Sequence, residues 1–179
     1  MERYRIVFSG SGGQGIITAS ILLAEAAVLH EGLEATQTQS YGPEARGGSS
    51  RADVIIAHTP ILFPKVIQPN VLICLSQEAY NTYSGIVRPG GILLSDSHFV
   101  TAHSKVDARQ YELPMYETVT AELGRRIALN TCMLGAVVGI TRLVSLESVA
   151  KVLETRMPAE FFEMNRKALE LGYGLAPPD

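Results

Sequence analysis

The sequence predicts an α/β domain: a mostly parallel sheet flanked by helices, followed by a helical C-terminal region. Three observations predict it. Short apolar runs at residues 6–8, 54–57, 71–75 and 92–94 are separated by turns and by stretches of helical periodicity, the pattern of repeated β-α units. Apolar residues make up 46% of the chain, a composition suited to helices packed closely against a central sheet. Beyond Pro114 the strand signals stop and the pattern becomes mainly helical. A chain of 179 residues can bury one sizeable core, so residues 1–179 are expected to form a single domain.

The first unit organises the rest. Ile6, Val7 and Phe8 supply a buried strand, Gly10-Ser11-Gly12-Gly13-Gln14-Gly15 interrupts it, and residues 16–29 resume as a helix rich in Ile, Leu and Ala. Gly10, Gly12 and Gly15 satisfy the G-x-G-x-x-G spacing of a Rossmann-like turn. Such a turn lets an anionic group approach the backbone and leaves the helix's first N–H groups free to meet phosphate or carboxylate oxygens. The spacing alone has two other readings. The glycines could serve only the tight strand-to-helix connection. A dinucleotide site would also want an acidic residue about twenty positions further on, at the end of the second strand. That strand, residues 33–39, carries Glu34 at its start and ends in Thr36-Gln37-Thr38-Gln39, so the carboxylate for an adenine ribose is not where it is expected.

The next loop is Ser40-Tyr41-Gly42-Pro43-Glu44-Ala45-Arg46-Gly47-Gly48. Arg46 offers a bidentate donor to phosphate or carboxylate, Glu44 could orient it or meet a partner's donor, and Tyr41 could stack or hydrogen-bond. Gly47 and Gly48 again remove side-chain obstruction. A surface loop fixed by local Glu–Arg pairing is the plainer alternative. Residues 54–57 form the third strand, and His58 at its end reads as solvated. A short helical crossover is expected over 61–66 despite Pro64, followed by a fourth strand at 71–75. Ser76 is expected to cap the next helix, with Ala79, Tyr83 and Val87 on one face. After the turn at Arg88-Pro89-Gly90-Gly91, residues 92–94 and 108–113 supply two more strands.

The helical region begins with residues 118–140, one long helix or two abutting near Asn130, an interior polar residue that needs a partner. Gly135 and Gly139 permit close approach along one side. Ser145 marks another helix start, with Val149, Leu153 and Met157 on one face, and Pro158 the last, which Gly172-Tyr173-Gly174 is expected to terminate.

Several chemistries find no support. Fifteen basic and eighteen acidic residues give a net charge of -3 without a basic run, so no nucleic-acid footprint is present. Asp96 and His98 lack the third member of a hydrolase triad and any G-x-S-x-G elbow, so no catalytic residue is assigned. The four histidines show no ligand spacing, and no metal site is assigned. Cys74 and Cys132 sit in apolar segments and are expected to be reduced, as in a cytoplasmic protein. Two cysteines cannot ligate an iron–sulfur cluster within this chain alone. The most apolar stretch, 127–140, is too short for a membrane span, and no secretory leader is evident.

Taken together, the two glycine loops, the run Leu75-Ser76-Gln77-Glu78-Ala79, residues 130–135 and residues 165–168 give the chain a close resemblance, over its whole length, to the gamma subunits or domains of 2-oxoacid:ferredoxin oxidoreductases. The Ser76–Tyr80 run is most similar to the 2-oxoglutarate branch. The resemblance implies a non-autonomous subunit of an assembly that converts 2-oxoglutarate and coenzyme A to succinyl-CoA with CO2 release and ferredoxin reduction. It implies thiamine diphosphate, magnesium and iron–sulfur clusters in partner subunits: catalytic alpha and beta chains, a small ferredoxin-like delta chain, and ferredoxin as acceptor. Coenzyme A is the ligand expected near Gly10, Gly12, Gly13, Gln14, Gly15, Tyr41, Glu44, Arg46, Gly47 and Gly48. A purely architectural role for both loops and an NAD-binding oxidoreductase are the alternatives.

Overall fold

Six strands, β1 (Tyr4–Ser11), β2 (Glu34–Ser40), β3 (Ser49–Ala57), β4 (Val71–Cys74), β5 (Gly91–Asp96) and β6 (Ala108–Leu113), form one sheet in the order β2-β3-β1-β4-β5-β6. They are seen in a computed structural model that describes residues 3–40, 49–103 and 105–178. The pairs β1–β4, β4–β5 and β5–β6 are parallel, whereas β3 runs antiparallel to both β1 and β2. The mostly parallel sheet, its flanking helices and the helical C-terminal region are therefore as expected, with one strand reversed. That reversal places Ser49 opposite Ser11 and Ser40 opposite Arg51. Ser40 and Ser49 thus both lie at the end of the sheet where β1 ends.

Strand alternation divides the core in two. Ile6 and Phe8 of β1, Val71 and Ile73 of β4 and Leu94 of β5 face a large core shared with the helices α1 (Ile16–His30), α3 (Met115–Leu123), α4 (Leu129–Thr141), α5 (Leu146–Arg156) and α6 (Ala159–Leu175). Val7, Ile55, Leu72 and Leu93 face the other side, under α2 (Gln77–Tyr83) and irregular chain. Every residue of β4 is buried, which explains why its sequence is apolar without alternation. Ser76 caps α2 by accepting the Ala79 N–H at 3.1 Å, and Ser145 caps α5 by accepting that of Ser148 at 3.1 Å.

Two expectations are corrected and one is refined. Residues 61–66 form no helix: Pro60, Pro64 and Pro69 punctuate the segment, which buries Val66 but leaves Leu62, Phe63 and Ile67 exposed. Of the two readings of residues 118–140, two helices are found: α4 begins at Leu129, beside Asn130 as expected, while α3 already ends at Gly124, whose φ of +63° gives it a left-handed cap. A short 3-10 turn, Arg126–Ala128, then leads into α4. Finally, α6 runs through Gly172 to Leu175. Gly172 is a packing residue, because a Cβ there would collide with the Cys132 carbonyl of α4. Gly135 of α4 likewise abuts the Leu169 carbonyl of α6, so close backbone approach is needed on both helices. Thr131 donates to Asn165 Oδ1 at 2.7 Å, and Asn165 Nδ2 donates to the Phe161 carbonyl at 2.9 Å, so the buried amide ties α4 to α6.

Candidate functional site

The first glycine turn forms one wall of a cleft of about 600 Å3 at the carboxyl edge of the parallel strands. Each turn residue has a distinct position. Gly10 is pressed between Gln14 and Leu75, where a Cβ would come within 2.5 Å of Gln14 Oε1. Gly12 and Gly13 face open space, and Gly13 has φ +82°. Gly15, at φ +73°, begins α1 against Asn130, whose Nδ2 would lie 2.7 Å from any Cβ there. Among the described residues no side chain caps α1, and its first turn holds no acidic residue, so its leading N–H groups and the positive end of its dipole are unopposed by the helix itself.

Gln14 spends its amide on the protein. Its Oε1 accepts the Ser11 N–H at 2.7 Å and its Nε2 donates to the Leu75 carbonyl at 2.7 Å. These two bonds tie the turn to the end of β4. Gln14 lines the cleft, but its amide holds Gly12 and Gly13 in place instead of reaching outward.

The opposite wall comes from sequence far removed from the turn: Phe99 after β5, Tyr116 in the first turn of α3, Arg126 and Ile127 in the 3-10 turn, and Leu129 and Asn130 at the start of α4. Phe99 and Tyr116 meet edge to face with ring centroids 5.0 Å apart, and His98 stacks on Tyr116 at 4.3 Å. Arg126 is exposed, and Ile127 is 73% exposed at the rim. Asn130 is half-buried and makes no side-chain hydrogen bond among the described residues; it packs on Gly15 beside the cleft. The result is a site with backbone amides of the glycine turn on one side and, on the other, aromatic and apolar surface that also carries the Arg126 guanidinium, suited to an elongated anionic ligand with a ring at one end.

Asp96 ends β5 beneath this wall and is fully buried. Burial raises its carboxyl above the ordinary value, against the lowering effect of the His98 and Tyr116 backbone N–H groups that it accepts. The carboxylate's hydrogen bonds come from backbone N–H groups, and the His98 ring acts on it only through charge. A catalytic Asp–His pair is therefore not what these residues form.

Of the residues expected to meet a ligand, Gly10, Gly12, Gly13, Gln14 and Gly15 are together at the cleft, with Gly12, Gly13, Gln14 and Gly15 lining it. Tyr41, Glu44, Arg46, Gly47 and Gly48 lie outside the described residues. Sequence reasoning did not single out Phe99, Tyr116, Arg126 or Ile127. The Arg125-Arg126 pair, wedged between Gly124 and an apolar run, was the one local signal available.

Among the described residues no group of three His, Cys, Asp or Glu side chains could hold a metal ion. Cys74 and Cys132 are buried, and burial pushes both thiols up to about 12, far from thiolate ligands. No helix among the described residues is long and apolar enough to cross a membrane.

Residues 5–175 match the family model for pyruvate ferredoxin/flavodoxin oxidoreductase. The chain is 44% identical over 176 residues to the 2-oxoglutarate synthase subunit KorC of Methanocaldococcus jannaschii, covering 97% of this chain and 94% of that protein. Its fold matches the crystal structure of a keto/oxoacid ferredoxin oxidoreductase gamma subunit from Geobacter sulfurreducens with a TM-score of 0.90 at 40% identity, covering 98% and 97% of the two chains. It also matches a 2-oxoglutarate:ferredoxin oxidoreductase from Magnetococcus marinus, solved with 2-oxoglutarate, coenzyme A and succinyl-CoA bound. There the TM-score is 0.87 at 22% identity, over 98% of this chain and 31% of the other, a likeness of fold alone.

Proposed function

Given that the chain belongs to the pyruvate ferredoxin/flavodoxin oxidoreductase family, as a gamma-type subunit of a 2-oxoacid:ferredoxin oxidoreductase, we propose that it supplies part of the coenzyme A site of an assembly forming succinyl-CoA from 2-oxoglutarate. One observation carries the reading: the open glycine turn at Gly12 and Gly13 with the start of α1, which no side chain caps among the described residues, shares a cleft with Arg126 and an aromatic wall. Coenzyme A presents phosphates for the first two features and an adenine ring for the third. Arg46, Tyr41, Glu44, Gly47 and Gly48 retain their sequence-based assignment to the same ligand. The described residues on either side, Ser40 and Ser49, lie at the end of the sheet where the first glycine turn begins.

A helix end contributes only about 0.3–1 kcal/mol in exposed settings, while micromolar binding needs about 8 kcal/mol. The remainder must come from the guanidinium, the aromatic wall and a partner subunit that encloses the open cleft. Thiamine and cluster chemistry is assigned to those partners, catalytic alpha and beta chains and a ferredoxin-like delta chain, as membership of the family implies. The buried, unreactive thiols suit a reducing cytoplasm, and we assign the whole chain, 1–179, to one domain. A dinucleotide reading is disfavoured by topology: β3 lies between β1 and β2, so the end of β2 is not adjacent to the turn, where a ribose carboxylate would be needed.

The test is coenzyme A titration of the assembled complex carrying Arg126→Ala. A charge-assisted hydrogen bond is worth about 1.5–3 kcal/mol, so KM for coenzyme A is expected to rise about tenfold or more, with assembly and KM for the 2-oxoacid unchanged. Unchanged coenzyme A affinity with loosened assembly would favour the architectural reading, which the exposed Ile127 at the rim otherwise supports.

A further inference from the structure

We infer that Asp96 is a positioning residue for the ligand cleft, its single buried carboxylate holding together the two chain segments that carry the aromatic wall. The inference rests on the coenzyme A reading above. Oδ1 accepts the His98 N–H at 2.9 Å, and Oδ2 accepts the Tyr116 N–H at 2.7 Å. One oxygen thus binds the turn that follows β5, and the other binds the first turn of α3, which follows β6. The Asp96 main-chain carbonyl adds bonds from Phe99 N–H at 3.2 Å and Val100 N–H at 3.0 Å, closing the turn that presents Phe99.

The rings reproduce this connection on the outside. His98 stacks on Tyr116 with planes 20° apart, and Phe99 meets Tyr116 edge on at 71°. Phe99 and Tyr116 line the cleft, whereas Asp96 is wholly buried and does not. Its carboxylate therefore acts on a ligand only through the wall it fixes. A buried carboxylate is a costly way to join two segments unless both oxygens are used, and both are. Asparagine cannot replace it. Its oxygen would satisfy one backbone N–H while its own NH2 faced the other, setting donor against donor.

Asp96→Asn is tested in the intact complex alongside Tyr116→Leu, which removes the ring but leaves the carboxylate. Asp96→Asn is expected to raise KM for coenzyme A about tenfold, with kcat and KM for the 2-oxoacid within about twofold, a split that general loss of structure would not produce. If Tyr116→Leu raises that KM and a folded, assembled Asp96→Asn complex does not, the positioning role is overturned while the cleft reading stands. If neither variant changes it, the cleft reading itself fails. A wild-type measurement guards against a variant that does not assemble. Hydrogen exchange in the peptides containing His98 and Tyr116 is expected to slow together when coenzyme A saturates the complex. Exchange that ignores coenzyme A overturns the proposal.

Discussion

Within the glycine turn, residues of one chemical type do different work. Gly12 has open space where a side chain would go, whereas Gly15 has a left-handed backbone and Asn130 against it. Gly15→Ala is therefore expected to destabilise the fold, by about 1–2 kcal/mol from the left-handed conformation alone, with the Asn130 contact adding to it. Gly12→Ala is expected to leave the melting temperature unchanged and weaken coenzyme A binding, because its methyl group points into unoccupied cleft space. Thermal denaturation and ligand titration of the two variants separate these effects, and equal loss of stability in both would contradict the assignment. The spacing of Gly10, Gly12 and Gly15 was legible in the sequence, but the division of labour was not. It depends on what stands opposite each glycine: Gln14 and Leu75 for the first, nothing for the second, Asn130 for the third. Gln14 shows the same limit. Its residue type suits a ligand contact, yet the Ser11 N–H and the Leu75 carbonyl claim its amide.

At the scale of elements, local signals located most strands and helices, and caps such as Ser76 and Ser145 were readable because they bond within their own helix's first turn. Misplaced boundaries arose where a glycine's role is set from outside, as at Gly172 in α6. The joint between α1 and α5 has a testable consequence. Glu31, just after α1, accepts the Ser145 N–H at 2.6 Å and the Ser148 hydroxyl at 2.7 Å. These bonds, the Ser145 backbone bond foremost, lower its pKa in the folded chain. The unfolded chain therefore takes up the proton first as pH falls. The stabilising contribution is present above the unfolded value and lost as pH drops through the lowered folded one. Glu31→Gln should lower the melting temperature at neutral pH, and the gap to wild type should close as pH falls below the ordinary glutamate range. A gap of constant size across that range would show that charge on Glu31 is irrelevant. The difference measurement is needed because Asp96, raised by burial, contributes with the opposite sign: its share is present below its unfolded value and lost as pH rises through the folded one.

The whole molecule is one part of an enzyme assembly. Purified alone, the chain is expected to show no 2-oxoacid turnover, measured as acyl-CoA formation with a ferredoxin acceptor. Turnover without a copurifying thiamine enzyme or iron–sulfur protein would refute the division of labour. The sequence by itself determined the α/β class, the strand-turn-helix opening, the reduced and dispersed cysteines and the family, since each is written in neighbouring residues or in the order of short motifs. Tertiary structure decided the rest: the reversed β3, the α4–α6 backbone contact, and the cleft that brings Gly12 and Gly13 to Phe99, Tyr116 and Arg126. The physical reason is that periodicity and capping are settled within a turn or two of chain. A cleft wall assembled from the ends of β5, β6 and α4 exists only after long-range packing has fixed where those ends meet.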